Sequence, residues 1–341
     1  FEPAGAYFNT ATCGLPPQQT VAAMGAVLED WRRGHVNAPD FDPIITRARE
    51  LYAGLVGVDP GTVAIGHQVS PFVGIIAESL PDDARVITAT GDFTSVTFPF
   101  AAQQHRGVTI DEVPLESLAA SIDSSVQLIA VSAVQSATGA LADLEAICAA
   151  ADAAGADVLL DVTQAAGWLP LNAGRIAYTV CSAYKWLLAP RGTAFLTVRA
   201  DRLAAITPSQ AGWYAGEHPW ESIYGLPLRL AADARRFDVS PGWFSWVGTQ
   251  TSLQFLTDIG IAELHRHALA CERAFAEGAG LEPSGSAIRS LVADDEVPGL
   301  LAGVDASAAM RAGRLRMSFF ANNTEQEALE IGALLRSHVR D

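Results

Sequence analysis

From about residue 60 to residue 200, short apolar runs alternate with amphipathic stretches, and this alternation constrains the fold more than any other feature. The runs are Thr62–Gly66, Arg85–Ala89, Val108–Val113, Val126–Ser132, Asp157–Asp161, Ile176–Ser182 and Thr193–Val198. Helical patterns fall between several of them, as at Pro71–Leu80 and Leu141–Ala154. Strands that are apolar on both faces and separated by helices belong in a mostly parallel sheet covered on both sides. After Arg199 the character changes. Residues 207–247 are rich in Trp, Pro and Gly, then helical patterns recur at Thr249–Asp258 and Ile261–Glu277. A strand-like Ile288–Ala293 and the run Arg314–Phe320 precede a last helix from Thr324 to about His338. The expected architecture is α/β. A large domain over residues 36–220 holds a mostly parallel seven-stranded sheet, and a smaller α+β C-terminal domain covers residues 221–341. An N-terminal segment, residues 1–35, packs on them through a helix near Pro17–Arg33.

The chain has 341 residues, 50% of them hydrophobic and 18% charged, enough apolar content for a large core. A formal net charge of −16 repels phosphates, so neither nucleic acid nor an anionic membrane is an expected partner. No apolar run reaches the roughly 18–20 residues needed to span a bilayer, and Phe1–Ala6 carries no export pattern. Cys13, Cys148, Cys181 and Cys271 show no CxxC spacing, which argues against zinc or a disulfide framework and for a cytoplasmic location. The seven histidines form no ligand spacing, and no P-loop, GxGxxG after a strand or HExxH is present, so no metal is expected.

Of 22 basic residues, 21 are arginine; the single lysine is Lys185. A GC-rich coding bias explains a general shortage of lysine. A lysine kept where every other cation is arginine points to work that guanidinium cannot do. A desolvated amine can lose its proton and form a Schiff base, whereas arginine stays protonated.

The neighbours of Lys185 bear on that reading. Asp161 closes the run DVLLD and so should sit at a strand's carboxyl end, where open α/β sheets place ligand sites. Gln164 follows in DVTQAAG, and Lys185 lies just past the next strand, in VCSAYKW. Sequential strands tend to be neighbours, so a carboxylate, an amide and an amine can meet in one crevice. Pyridoxal 5'-phosphate asks for that set: a lysine for its aldehyde and a carboxylate to keep its ring nitrogen protonated. Taken alone, Asp161 reads more readily as a helix N-cap, and it is the combination that favours the cofactor reading.

DVTQAAG followed by SAYKW and Pro190-Arg191-Gly192 resembles the signature of the class V aminotransferase family. These are fold-type-I pyridoxal-phosphate enzymes that include cysteine desulfurases, kynureninases and isopenicillin N epimerase-like proteins. Asp161, Gln164, Ser182 and Lys185 match the family pattern in order and spacing. The resemblance runs over nearly the whole chain. AYFNTATCGLPP matches the family's opening segment and puts Asn9 near the substrate. GHQVSPFVGIIA stands where a strand-to-helix turn binds the cofactor phosphate, through the Val69 backbone and Ser70, a residue that also reads as a plain N-cap. His67 lies beside that turn. GDFTSV gives Phe93 the position that stacks on the pyridine ring. Gln135 and Ser136, in VQSATG, share the place of a family asparagine that touches cofactor or substrate. RRFDVSP resembles the block whose threonine binds the phosphate of the other subunit, implying a homodimer with shared active sites. Ser240 is its nearest equivalent, with Thr249 as rival. RLRMSFFANNTEQE makes Arg316 the clamp for the α-carboxylate of an amino-acid substrate, with Arg314 competing.

Two departures narrow the chemistry. Desulfurases carry a persulfide-forming cysteine that would fall in the stretch 297–313, and that stretch has none. The residue before the lysine is Tyr184 rather than histidine, and its phenol is a candidate acid. Position 177, often Asp in relatives, is Ala. Lys185, Asp161 and Tyr184 are thus the expected catalytic residues. A β-eliminating carbon–sulfur lyase on cysteine or an S-substituted cysteine is the first reading, and an aminotransferase or epimerase of secondary metabolism the second. An inactive scaffold subunit is the third, opposed by the intact Asp161, Gln164 and Lys185. Trp213, Trp220, Trp243 and Trp246 line an entrance for a bulky substituent or, more simply, pack a domain interface.

Overall fold

The computed structural model describes residues 1–341. Helices α1 (Gln18–Arg32) and α2 (Asp42–Val56) lead into β1 (Val63–Gly66), α3 (Val69–Ser79), β2 (Arg85–Ala89), α4 (Thr94–Ala101) and β3 (Thr109–Val113). Then come β4 (Leu128–Ser132), α5 (Leu144–Ala154), β5 (Asp157–Asp161), β6 (Tyr178–Ser182) and β7 (Ala194–Val198). The remainder is α6 (Trp243–Ile259), α7 (Ile261–Ala279), β8 (Ile288–Ala293), α8 (Val297–Gly303), β9 (Ala309–Arg311), β10 (Arg314–Ser318), α9 (Glu325–Leu335) and β11 (Val339–Arg340).

The first seven strands make one sheet in the order β1-β7-β6-β5-β4-β2-β3. Only β7 runs against the others, pairing antiparallel with both β6 and β1. The expected seven-stranded, mostly parallel sheet is therefore present. All five residues of β4 are buried, as are all five of β7, because helices cover both faces. One apolar cluster gathers α2, Trp168, Trp186 and Trp246 on one side; a second gathers α3, Val96 and Phe100 on the other. A four-stranded sheet, β11-β8-β10-β9, packs with α7 and α9 around Phe275, Phe319 and Met317 as the smaller C-terminal unit.

Helix α6 lies against α1 and α2, while the small cluster draws on α7 from Cys271 onward and on Phe8 of the N-terminal segment. That segment is stitched across the molecule. Phe8 donates its N–H to Ser307 and accepts from Ser318. Gly14 then passes over the lysine loop with its N–H on the Tyr184 carbonyl at 2.9 Å. A Cβ at residue 14 would stand 2.0 Å from the Lys185 carbonyl oxygen, so only glycine lets the two backbones approach this closely.

Candidate active site

Register brings the site together. Ser132 at the carboxyl end of β4 pairs with Asp161 at the end of β5, which pairs with Val180 two residues before the end of β6. The turns after β1 and β2 lead into α3 and α4 on the same sheet edge. An open cleft lies there, and Lys185, Asp161, Tyr184, Phe93, Gln164 and Val69 are among the residues that line it. This is the crevice that a doubly covered parallel sheet provides beyond its carboxyl edge.

Lys185 is 6% exposed, and its amine makes no hydrogen bond to protein; Nζ lies 5.3 Å from the Phe93 ring centroid and 5.9 Å from that of Tyr184. Burial pulls this amine down to about 8, with the Asp161 carboxylate opposing and the charges of Arg316 and Arg311 adding to the drop. Asp161 is buried, accepts the Thr163 N–H at 2.8 Å, and is pushed up to about 6 by desolvation against the pull of Thr163 and Lys185. Its bond to Thr163 has N-cap form, yet β5 is followed by a series of turns and no α-helix. The Thr163 hydroxyl accepts from Ser182 N at 3.0 Å and ties this turn to β6.

Gln164 is pinned on all sides. Its amide nitrogen donates to the Ala11 carbonyl at 3.0 Å and the Ser136 hydroxyl at 2.9 Å, and its oxygen accepts from the Trp186 indole at 2.7 Å. Of the two candidates in VQSATG, Ser136 lines the cavity, whereas Gln135 turns to a buried Asp92, donating to its Oδ2 at 3.0 Å. Asp92 also accepts from Ser132 N and from the N–H of Phe93, which fixes the backbone that carries the ring.

Helix α3 begins at Val69 behind Gln68, and no side chain caps it, so the N–H groups of its first turn stay open to an anion. Ser70 is the second residue of the helix and not its N-cap; it lies outside the cavity lining, which takes in His67 instead. Arg316 is 2% exposed and is not itself among the cavity-lining residues; it adjoins one of them, Ser136. Its Nη1 donates to the Ser136 carbonyl at 2.6 Å and its Nη2 to the Thr12 hydroxyl at 2.7 Å. Arg314 turns away, onto the Ser290 hydroxyl and carbonyl, each at 3.0 Å.

Several expectations need correction. Thr249 is fully buried inside α6, with its hydroxyl between Thr193 Oγ1 and the Ser245 carbonyl, both at 2.8 Å, so it has no reach toward a second subunit. Ser240 is exposed. Asn9 is not at the cavity; its carbonyl closes the turn to Thr12 and Cys13, and its side-chain oxygen is buried without a partner. None of the four tryptophans lines the cavity: Trp213 packs on Trp220 with centroids 5.0 Å apart, Trp243 stacks on Phe41, and Trp246 is core.

The structure adds residues that the sequence did not single out. Ser95, Ser132, Thr163 and Arg191 also line the cavity, and the Arg191 guanidinium sits 5.1 Å from the Tyr184 ring centroid. Arg191 occupies the variable position of Pro-x-Gly, so spacing offers no signal for it. Ser132 ends β4, Thr163 lies in the turn after β5 and Ser95 is in the first turn of α4, places where serine and threonine are common for local reasons.

These donors fit pyridoxal phosphate: a lone buried amine for the aldehyde, a buried carboxylate for the ring nitrogen, an aromatic face, and an uncapped helix N-terminus for the phosphate. Fold and site together define a fold-type-I pyridoxal-phosphate enzyme. The chain belongs to the aminotransferase class-V family, whose model matches residues 6–279. It is similar to YcbU, an uncharacterized aminotransferase of Bacillus subtilis (strain 168), at 28% identity over 82% of this chain and 80% of that one. It is also 28% identical to isopenicillin N epimerase of Streptomyces clavuligerus, over 67% of this chain and 64% of the relative. Among solved structures, the cystine C–S lyase C-DES in complex with cysteine persulfide superposes with a TM-score of 0.87 at 19% identity, covering 98% of both chains. A cysteine desulfurase from Thermococcus onnurineus NA1 gives 0.85 at 16% identity, over 98% of this chain and 94% of that one. At these identities the structural likeness speaks for the fold. No helix is long and apolar enough to cross a membrane.

Proposed function

We propose that the protein is a β-eliminating carbon–sulfur lyase acting on cysteine or an S-substituted cysteine, as a homodimer with shared sites, in the cytoplasm. The observation that carries this reading is the stretch before Arg316. Residues 297–313 form α8, β9 and the turn to β10, and contain no cysteine to take sulfur as a persulfide.

Pyridoxal phosphate supplies the sink for the electron pair released at Cα. The residues of this chain do the rest. Arg316 holds the α-carboxylate with a guanidinium already oriented by Ser136 and Thr12. Asp161, kept dry on the sheet edge, holds a proton on the ring nitrogen. Lys185 Nζ, the one amine side chain available, takes the Cα proton; its value of about 8 suits a base working near neutrality. The Cβ–S bond then breaks with its electron pair on sulfur, which leaves as a thiol after taking a proton, and water converts the three-carbon fragment to pyruvate and ammonia. Tyr184 is placed to donate the sulfur's proton, its phenol held up by burial while Arg191 works against that rise.

An epimerase reading draws support from the Streptomyces clavuligerus relative and needs proton return to Cα from the opposite face. The test is pyruvate release from S-substituted cysteines by the wild-type enzyme and by Cys13→Ser. Cys13 is the one exposed thiol, two residues before Leu15 in the segment crossing the lysine loop. Equal turnover in both supports elimination without a protein persulfide. Alanine in place of pyruvate from cysteine, lost in Cys13→Ser, makes the enzyme a desulfurase with its thiol relocated, and a racemised substrate without pyruvate makes it an epimerase.

A further inference from the structure

Two arginines meet at one hydroxyl. Arg316 Nη2 lies 2.7 Å and Arg311 Nη2 3.2 Å from Thr12 Oγ1. Like charges this close repel, and a pair of guanidiniums normally has an acid between or beside them. These have none. The hydrogen bonds of Arg311 go to Thr12 and the Met310 carbonyl, and those of Arg316 to Thr12 and Ser136. Acidic partners are not scarce: the chain holds 38 Asp and Glu against 22 basic residues, and most of its other surface arginines are engaged by them. Both charges also reach Lys185, whose amine they help to lower. A single α-carboxylate would neutralise Arg316 and leave the neighbouring Arg311 charge without an acid.

We infer that Arg311 is a specificity residue for a second carboxylate on the substrate, so that the β-substituent of the amino acid taken by this site is itself acidic. The inference rests on the reading of Arg316 as the α-carboxylate clamp. The two arginines differ in the way two roles require. Arg316 is buried on β10, where a fixed clamp belongs; Arg311 is exposed on β9, with its guanidinium on the same Thr12 hydroxyl. Both strands belong to one hairpin, so the spacing between the two charges is set by β-sheet geometry rather than by a loose loop. S-(2-Carboxyethyl)-L-cysteine has this character, and S-(2-carbamoylethyl)-L-cysteine, its amide, lacks only the charge.

The experiment titrates holoenzyme with the acid and its amide, following the change in the cofactor's visible absorbance to obtain each Kd, and separately measures pyruvate release. The wild type should bind the acid about tenfold more tightly than the amide, the worth of one charge-assisted bond at a partly open site. Arg311→Gln should abolish that preference by weakening the acid alone, and Arg311→Lys should restore part of it. Equal affinities for acid and amide in the wild type would overturn the inference. So would an Arg311→Gln variant that weakens both alike, since that is the signature of general support for Arg316. If the acid binds preferentially but no pyruvate appears, the lyase reading fails and the second-carboxylate site stands.

Discussion

At the scale of single residues, Lys185 and Asp161 set each other's charge inside a dry crevice. Burial has the larger hand in bringing Lys185 to about 8, and Asp161 works against it. Removing that carboxylate takes away the largest influence opposing burial and the two arginines, so Asp161→Asn should lower the amine further. Capture of added pyridoxal phosphate by cofactor-free protein needs the neutral amine, so its rate should rise with pH through an inflection near the amine's value. In Asp161→Asn the inflection should move to lower pH. An inflection that stays or moves upward would show that Asp161 does not act on Lys185. The single lysine and the carboxylate were both readable from the chain, because each ends or follows an apolar run. The roles of Gln164 and Gln135 were not: whether an amide faces cofactor or backbone depends on partners such as Trp186, Ala11 and Asp92 that are distant in sequence.

Among the elements, the seven sheet strands were legible: six are short runs largely buried on both faces between turn residues, and β3, TIDEV, is a partly exposed edge strand. Three helices, α2, α4 and α8, were missed, the first two for contrary reasons. Helix α2 carries Arg49, which reads as solvent-facing but is buried, with Nη2 2.7 Å from Asp238. Helix α4, TSVTFPFA, is rich in β-branched and aromatic residues and holds Pro99, so its propensity opposes a helix, and packing against α3 and β3 decides. The β9–β10 hairpin shows a local conflict that persists in the fold. Arg311 pairs with Arg314 across a two-residue turn, Ala312-Gly313, with φ of +48° and +76°. A turn with both central residues at positive φ favours Asn-Gly, and an alanine there costs about 1 kcal/mol. Ala312→Asn should therefore raise the thermal midpoint by about 2 °C and leave the KM for substrate unchanged, because Arg311 and Arg316 keep their strands. A lower midpoint would mean that the turn is not held in this conformation.

For the whole molecule, the question is whether one chain makes a complete site. The cavity supplies amine, carboxylate, ring and helix N-terminus from a single chain. Ser240, which the family resemblance assigns to a phosphate, sits exposed. The nearby segment 220–228 displays Tyr224 at 87% and Leu226 at 90% exposure, apolar surface of a kind that subunit contact removes from water. A site shared between two chains makes a sharp prediction for mixed dimers. Lys185→Ala and Ser240→Asp should each be inactive alone, the first for want of the amine and the second because its carboxylate repels the phosphate. In a dimer with one chain of each kind, one site combines both changes and the other combines neither. Random exchange of the two inactive proteins should then restore activity to about a quarter of the wild-type level, since half the dimers are mixed and each has one intact site. If Ser240 instead served its own chain, every site in every dimer would carry one defect. No activity would return on mixing, and the phosphate would be held by α3 and its neighbours within a single chain.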